Sequence, residues 1–255
     1  MTSLGEADIS IHDIAVLSPG RLLVADYTNT NLKLVDSVNG GVLSTATLPA
    51  MPRRLCLLSE GRVAVTMYST KIQFIFVAND TISLDKSIDV KNKVAGIATI
   101  DSHLVLFCES PAKVEMMTMD GRVVNEVDNQ KAGKQIFQYP YFIATTSSGD
   151  IFVSDHKTHM IIQMDRSLCI TQIFTSPMLT SPSGIASVST DQLLVADQKS
   201  HSIVVLNTTN GIVTPLLGRE DGIQLPWVVA WCPASKRLYV SSYGDQTALS
   251  VFCQK

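Results

Sequence analysis

Short apolar segments recur along this chain at a nearly constant interval, and polar turns separate them. Six of these segments carry an apolar anchor just after a proline or an equivalent position, and successive anchors are 41 to 46 residues apart. The anchors are Ile14, Leu55, Ile97, Ile143, Ile185 and Val229. A repeat of about 40–45 residues made of short strands is typical of a β-propeller. The spacing therefore predicts six blades.

Each repeat has the same internal order of apolar and polar positions. A second, almost continuously apolar strand follows the anchor strand, as in residues 22–26 and 193–197. A third strand, a Gly- or Asn-bearing turn and a more polar fourth strand come next. Continuous apolar runs indicate strands buried on both faces, and alternation indicates a half-exposed outer strand. We therefore expect an all-β, six-bladed propeller of four-stranded blades.

The last repeat differs from the others because the chain ends at Lys255 after its third strand. The segment before the first anchor, residues 5–10, is the obvious donor of the missing outer strand. Such an N-terminal strand would close the ring and cover an edge that would otherwise invite aggregation. The prediction is a single propeller domain over residues 1–255.

Composition agrees with a folded all-β domain. The chain is 45% hydrophobic and 17% charged, with a mean hydropathy of +0.21 and a formal net charge of −3. No apolar run reaches membrane-spanning length, and the first residues do not resemble a secretion signal. We expect a cytoplasmic protein without membrane contact. The five cysteines have no CxxC spacing and are expected to be reduced, structural thiols.

The repeat phrase resembles the NHL repeat. Residues 182–186, PSGIA, match the opening of that pattern, and residues 24–34, VADYTNTNLKL, match its middle. The overall phrasing is similar to the C-terminal NHL domains of invertebrate tripartite-motif (TRIM) proteins. Those relatives carry RING, B-box and coiled-coil modules ahead of the propeller, so the resemblance implies a target-binding domain of a TRIM-type ubiquitin ligase. Any ligase activity would reside in modules that this sequence does not contain.

Acidic and histidine side chains at the blade turns allow two interpretations. Asp26, Asp155 and Asp197 end their second strands, where a carboxylate can accept hydrogen bonds from turn amides. The same residues could be metal ligands, but equivalent positions in different blades should lie far apart. His156, His159 and His201 could bind zinc, but solvated turn histidines are the favoured interpretation. We expect no metal and no cofactor.

Basic and aromatic residues should gather at one mouth of the central channel. Equivalent positions in a ring project onto the same annulus, which places Arg53, Arg54, Tyr141 and Trp227 around this mouth. The loops on the same face add further basic and aromatic residues. They are Tyr27, Tyr68, Lys71, Lys93, Lys113, Lys134, Tyr139, Lys157, Lys199 and Tyr243. This basic-aromatic face is the predicted ligand-binding surface.

The chemistry of this face leaves its ligand open. A non-enzymatic platform that binds a protein ligand is the favoured hypothesis. An RNA hairpin is the alternative, because cations contact phosphates and aromatic rings stack on bases. A propeller hydrolase or lyase is a third possibility, although one acid and two arginines at the mouth make a poor cation cage. We expect a monomeric propeller with no affinity for DNA.

Overall fold

The six apolar anchor segments form six inner strands that stand side by side around an axis. In this computed structural model, which describes residues 9–129, 136–244 and 249–253, each inner strand begins an antiparallel sheet whose strands follow in chain order. Five sheets have four strands, and the sixth has three among the described residues. Helical structure there is limited to one short 3-10 turn, Arg219–Asp221. The predicted all-β, six-bladed propeller with four-stranded antiparallel blades is confirmed.

The blades are numbered in chain order, and their strands run from the channel outward. Blade 1 contains β1 (Ile11–Ser18), β2 (Arg21–Asp26), β3 (Asn31–Asp36) and β4 (Val42–Thr47). Blade 2 contains β5 (Pro52–Leu57), β6 (Arg62–Met67), β7 (Lys71–Ala78) and β8 (Thr81–Asp89). Blade 3 contains β9 (Val94–Ile100), β10 (His103–Glu109), β11 (Ala112–Thr118) and β12 (Val123–Asp128).

The second half of the ring repeats this order. Blade 4 contains β13 (Pro140–Thr145), β14 (Ile151–Asp155), β15 (Met160–Met164) and β16 (Ile170–Phe174). Blade 5 contains β17 (Pro182–Ser187), β18 (Gln192–Asp197), β19 (Ser202–Asn207) and β20 (Val213–Leu217). Blade 6 contains β21 (Pro226–Cys232), β22 (Arg237–Ser242) and β23 (Leu249–Cys253).

The ring closes where β1 of blade 1 packs against β21 of blade 6. Ile9 lies in one hydrophobic cluster with Tyr239 and Leu249 of blade 6. The predicted closing strand covers residues 5–10, of which residues 5–8 lie outside the described part of the chain. An N-terminal outer strand for blade 6 therefore stays a prediction.

The anchors meet at the axis, as their spacing predicts. All six line a cavity of about 240 Å³ inside the channel, together with Asp13 and Arg54. The second strands behind them are almost fully buried. This burial agrees with their continuous apolar sequences.

The inner strands of blades 5 and 6 lie close together at Gly184. A Cβ atom added to Gly184 would lie 2.7 Å from the carbonyl oxygen of Trp227 and 2.8 Å from the amide nitrogen of Val229. Backbone atoms cannot move aside as a flexible side chain can, so this position requires glycine. The glycine of the PSGIA phrase thus has a packing role.

None of the cysteines forms a disulfide bond. All five cysteines are free: Cys56, Cys108 and Cys232 are buried, and Cys169 and Cys253 are exposed. Burial raises the pKa of Cys56 to about 12, so this thiol stays protonated. No helix in the described ranges is long and apolar enough to cross a membrane.

Candidate functional site

Strand register places the predicted site residues on one face of the ring. The first residue of an inner strand pairs with the last residue of the second strand, as in Pro52 with Met67 and Pro140 with Asp155. The loops that precede inner strands therefore open on the same side as the turns after second strands. We call this side the upper face, and its central opening the channel mouth.

Arg54 closes the channel below this mouth. Its side chain is only 3% exposed, and its Nη1 donates to the carbonyl oxygens of His12 at 2.6 Å and Arg53 at 2.8 Å. Its Nε donates to the carbonyl oxygen of Tyr141 at 3.3 Å, and its guanidinium lies 3.7 Å from the centre of the Phe142 ring. Arg54 therefore joins blades 1, 2 and 4 across the axis. Burial lowers its pKa to about 10, which leaves it protonated at neutral pH.

Asp13 supplies the negative charge beside this buried cation. Its two carboxylate oxygens accept from the backbone amides of Ile14 at 2.9 Å and Leu55 at 2.8 Å, so it connects blades 1 and 2. Burial raises its pKa to about 6, while Arg54 and the two amides act in the opposite direction. Both residues of the pair line the channel cavity.

Arg53 is also buried, with 3% of its surface exposed. Its Nη2 donates to Glu109 of blade 3 at 2.5 Å, and its Nη1 donates to the carbonyl oxygen of Val94 at 3.3 Å. Its guanidinium lies 4.4 Å from the centre of the Tyr68 ring. Arg53 and Arg54 thus lie at the predicted mouth, but both already have protein partners. A direct contact of either residue with a ligand stays a prediction.

Aromatic rings surround the mouth above these arginines in two groups. In the first, His12 stacks on Tyr27 with 4.3 Å between ring centres, and Tyr68 meets Tyr27 edge-on at 5.2 Å. Burial and the neighbouring arginines lower the pKa of His12 to about 3, so this ring is neutral at physiological pH. The first group therefore adds no charge to the mouth.

The second aromatic group spans blades 4 and 6. Tyr141 contacts Tyr139 at 4.9 Å and Trp227 at 5.1 Å between ring centres, and Trp227 contacts Tyr243 at 5.5 Å. Trp227 is buried, whereas Tyr139 and Tyr243 are 53% and 59% exposed. Together with Tyr27 and Tyr68, these residues form what we call the aromatic collar. The structure thus brings all six predicted aromatic residues to one opening.

The predicted lysines do not form one continuous basic surface. Lys113 lies 2.6 Å from Glu115 and 2.8 Å from Glu126, and Lys71 lies 2.8 Å from Asp89. The other predicted lysines in the described ranges, Lys93, Lys157 and Lys199, are exposed. Lys134 lies outside the described residues.

The aspartates that end second strands are fully buried and accept backbone hydrogen bonds. Asp155 accepts from the amides of Gln138 at 2.7 Å and Thr158 at 3.0 Å. Asp197 accepts from Thr180 at 2.6 Å and Ser181 at 2.8 Å in the same way. These contacts agree with the interpretation that each carboxylate pins an upper turn. Within the described ranges, no group of three His, Cys, Asp or Glu residues could hold a metal ion.

Comparison with known proteins supports the repeat assignment at one blade. An NHL repeat matches residues 179–206. This segment includes the first three strands of blade 5 and the PSGIA phrase. A search of curated proteins finds no match. These comparisons do not show a resemblance to TRIM proteins in particular.

Solved structures share the architecture at low sequence identity. A virginiamycin B lyase from Staphylococcus aureus, solved with quinupristin, is 18% identical with a TM-score of 0.71 over 98% of this chain and 86% of that one. A Bacteroides thetaiotaomicron protein of unknown function is 10% identical with a TM-score of 0.76 over 98% and 72%. The Cps50 (Swd1) propeller of Myceliophteria thermophila is 13% identical with a TM-score of 0.70 over 99% and 85%. Identities this low establish the fold alone.

Sequence reasoning missed the buried ion pairs of the upper face. Lys33 is 1% exposed, and its Nζ lies 2.7 Å from Asp26 Oδ2. Glu115 is 2% exposed and lies beside Lys113. The available signal was a charged residue inside an otherwise apolar strand, as in LKLV and VEMM. Such a residue requires a buried partner, because an unpaired charge there is costly.

Proposed function

We propose that this propeller is a non-enzymatic recognition platform that binds a protein segment on its aromatic collar. The observation that supports the proposal is the two groups of aromatic rings around the mouth, in which Tyr68, Tyr139 and Tyr243 are all more than a third exposed. Tyrosine and tryptophan are enriched at the centres of protein interfaces because they bury much apolar area at low entropic cost. The cations beneath them are already paired, which favours a ligand anchored by apolar contacts.

RNA-hairpin binding by the same face is the second candidate. Exposed lysines at positions 93, 157 and 199 could contact phosphates, and exposed tyrosines could stack on bases. Binding of this kind should fall steeply with salt because it releases counterions. Binding to aromatic anchors should depend on salt only weakly.

We also propose that the domain performs no chemistry and selects targets for a TRIM-type ubiquitin ligase. The titratable groups nearest the mouth have structural partners: Asp13 accepts two backbone amides, and Glu109 accepts from Arg53. His12 is stacked on Tyr27 and neutral. These contacts occupy the groups that would otherwise serve as acid or base.

A binding experiment on two synthetic pools tests the proposal. The purified chain is offered a random linear peptide pool and a random hairpin-RNA pool at low and near-physiological salt. We expect peptides to be retained at both salt concentrations. In the double variant Tyr139→Ala with Tyr243→Ala, binding should fall by about tenfold or more, as for interface anchors.

A matched variant controls for general loss of apolar surface. Leu84→Ala removes a side chain that is 51% exposed on β8, the outer strand of blade 2, whereas the collar residues lie on inner strands and upper turns. It should leave peptide binding unchanged. Retention of RNA but not peptides, lost at higher salt, would favour the RNA candidate. Retention of neither pool would contradict the proposal for the collar.

A further inference from the structure

A second opening lies on the upper face between blades 4 and 5. It is a groove of about 670 Å³, bounded by the turn after β14, the connection from β16 to β17 and the turn after β18. Its lining residues are Thr158, His159, Thr175, Ser176, Pro177, Leu179, Thr180 and Lys199. None of them is acidic, and most carry a hydroxyl or a basic group. This composition differs from that of the aromatic collar.

Two buried carboxylates hold the walls of the groove. Asp155 accepts from the amides of Lys157 at 3.1 Å and Thr158 at 3.0 Å, which fixes the turn after β14. Asp197 accepts from the amides of Thr180 at 2.6 Å and Ser200 at 3.1 Å, which joins the other two segments. The walls are therefore ordered before any ligand binds, and this lowers the entropic cost of binding.

Positive charge concentrates at this groove. Lys199 and His159 are exposed and line it, and Lys157 is exposed on the same turn as His159. No ion pair within 4 Å joins any of these three side chains to an acid in the described ranges. Burial lowers the pKa of His156 beneath them, and the charges of Lys199 and His159 lower it further, whereas Asp197 and Asp155 act in the opposite direction.

Hydroxyl groups in the wall could complete an anion site. The Oγ1 of Thr158 is buried and has no hydrogen-bond partner. Ser176 Oγ accepts from the amide of Met178 at 3.2 Å, which leaves its own hydrogen available for donation. A buried hydroxyl without a partner costs free energy, and a ligand oxygen can recover that cost.

We infer that this groove binds the phosphate of a phosphorylated side chain in the protein segment recognised by the collar. Lys199 and Lys157 would supply the charge, and His159 and the hydroxyls of Thr158 and Ser176 would donate to phosphate oxygens. His156 connects the two surfaces: its ring lies 6.2 Å from that of Tyr141, and its Nδ1 lies 2.8 Å from Ser181 Oγ. The inference rests on the proposed function, since it assigns a feature of the same ligand.

The distribution of charge favours a single phosphate over an RNA backbone. An RNA ligand needs cations along a path that follows several phosphates. On this upper face, Arg53, Lys71 and Lys113 are paired with acids, so their charges are largely neutralised. The two unpaired lysines at one junction match one doubly charged group instead.

The test compares two peptide pools that differ only in one group. Both pools have random flanking positions and a fixed central residue, which is phosphoserine in one pool and serine in the other. We expect the phosphoserine pool to bind about tenfold more tightly or better. The double variant Lys199→Ala with His159→Ala should remove this advantage. The control Lys86→Ala, an exposed lysine of β8, should keep it.

The outcomes separate the inference from the proposed function. Equal binding of the two pools, with loss in the Tyr139→Ala and Tyr243→Ala variant, would overturn the phosphate site and leave the collar as a peptide site. A phosphoserine advantage that survives Lys199→Ala with His159→Ala would also overturn the assigned site. If neither pool bound but hairpin RNA did, both the inference and the proposed function would fall. Loss of the phosphoserine advantage in the Lys199→Ala with His159→Ala variant, but not in the Lys86→Ala control, would support the phosphate site.

Discussion

Arginines at the channel mouth and basic residues at the junction of blades 4 and 5 occupy the same upper face but differ in their environment. Arg53 and Arg54 are 3% exposed and donate to oxygens of three other blades. Lys199 and His159 are exposed beside a groove whose lining has no acid. The charge at the mouth therefore holds blades together, whereas the charge at the junction remains available to a ligand.

Residue type does not distinguish these two uses of charge. Both sets are basic residues that lie on the same upper face. The difference comes from partners supplied by neighbouring blades, such as Glu109 for Arg53 and the Tyr141 carbonyl for Arg54. A substitution at the mouth should therefore lower stability. A substitution at the junction should instead weaken binding and change stability little.

Removal of the central guanidinium should have the largest effect on stability. Arg54→Ala would leave Asp13 without its buried counter-charge and three carbonyl oxygens without their donor. We expect a loss of about 3 kcal/mol, because breaking a buried charge pair leaves an uncompensated group. That corresponds to a melting temperature lower by about 10 °C for a chain of this size.

An exposed arginine provides the control for this measurement. Arg122→Ala removes a guanidinium at the exposed turn that precedes β12, and it should change stability by no more than about 0.5 kcal/mol. Calorimetry or thermal circular dichroism on the two variants makes the comparison. Coincident melting curves would show that Arg54 does not carry the structural role assigned to it here.

Two lysines of the upper face should also differ in their effect on stability, although the difference is smaller. Lys113→Ala would leave Glu115, which is 2% exposed, without the nearest cation at 2.6 Å. We expect a loss of about 2 kcal/mol. Lys199→Ala should cost no more than about 0.5 kcal/mol, since the side chain is exposed and without an ion-pair partner among the described residues.

Urea denaturation of the two lysine variants measures the difference through their midpoints. Lys113→Ala should also leave the preference for phosphoserine peptides intact, whereas Lys199→Ala should weaken it. An equal loss of stability in the two variants would show that Lys199 also stabilises the fold. That result would contradict the division between charges that hold blades together and charges that are available to a ligand.

The fold could be predicted from the sequence because each repeat encodes it independently. The anchors at Ile14 and Ile185, and their equivalents, need only a constant spacing to identify the inner strands, and all of them meet at the axis. The upper turns could also be predicted, since an aspartate at the end of a second strand can accept hydrogen bonds from the amides of the turn. Local patterns are sufficient for both conclusions.

The charge state of the site could not be predicted in the same way. Equivalent positions place Arg54 and Tyr141 on one annulus, but they do not reveal which side chains bend inward to meet a carbonyl from another blade. The groove lined by Thr158 and Lys199 depends on loops from two repeats whose sequences differ. Such contacts arise from three-dimensional packing between blades, which a repeat pattern within one blade does not specify.

The protonation of His12 tests whether the mouth excludes water. The pKa of His12 is lowered to about 3 in the folded protein by burial and the two arginines, against about 6.5 in the unfolded chain. The unfolded state therefore takes up a proton as pH falls below 6.5, while the folded state does not. By linkage, this histidine makes the protein lose stability as pH falls from 6.5 towards 3.

His12→Phe should keep the stacking on Tyr27 and remove this pH dependence. At pH 7.5 the variant and the parent should differ little, and at pH 5 the variant should be relatively more stable by about 2 kcal/mol. Asp13, whose pKa is raised to about 6, has the opposite sign: its contribution to stability grows as pH falls through 6. Because Asp13 is present in both proteins, the difference between their urea midpoints at the two pH values isolates His12. Parallel pH profiles would mean that the ring is protonated in the folded state and that the mouth is open to water, as the junction of blades 4 and 5 is.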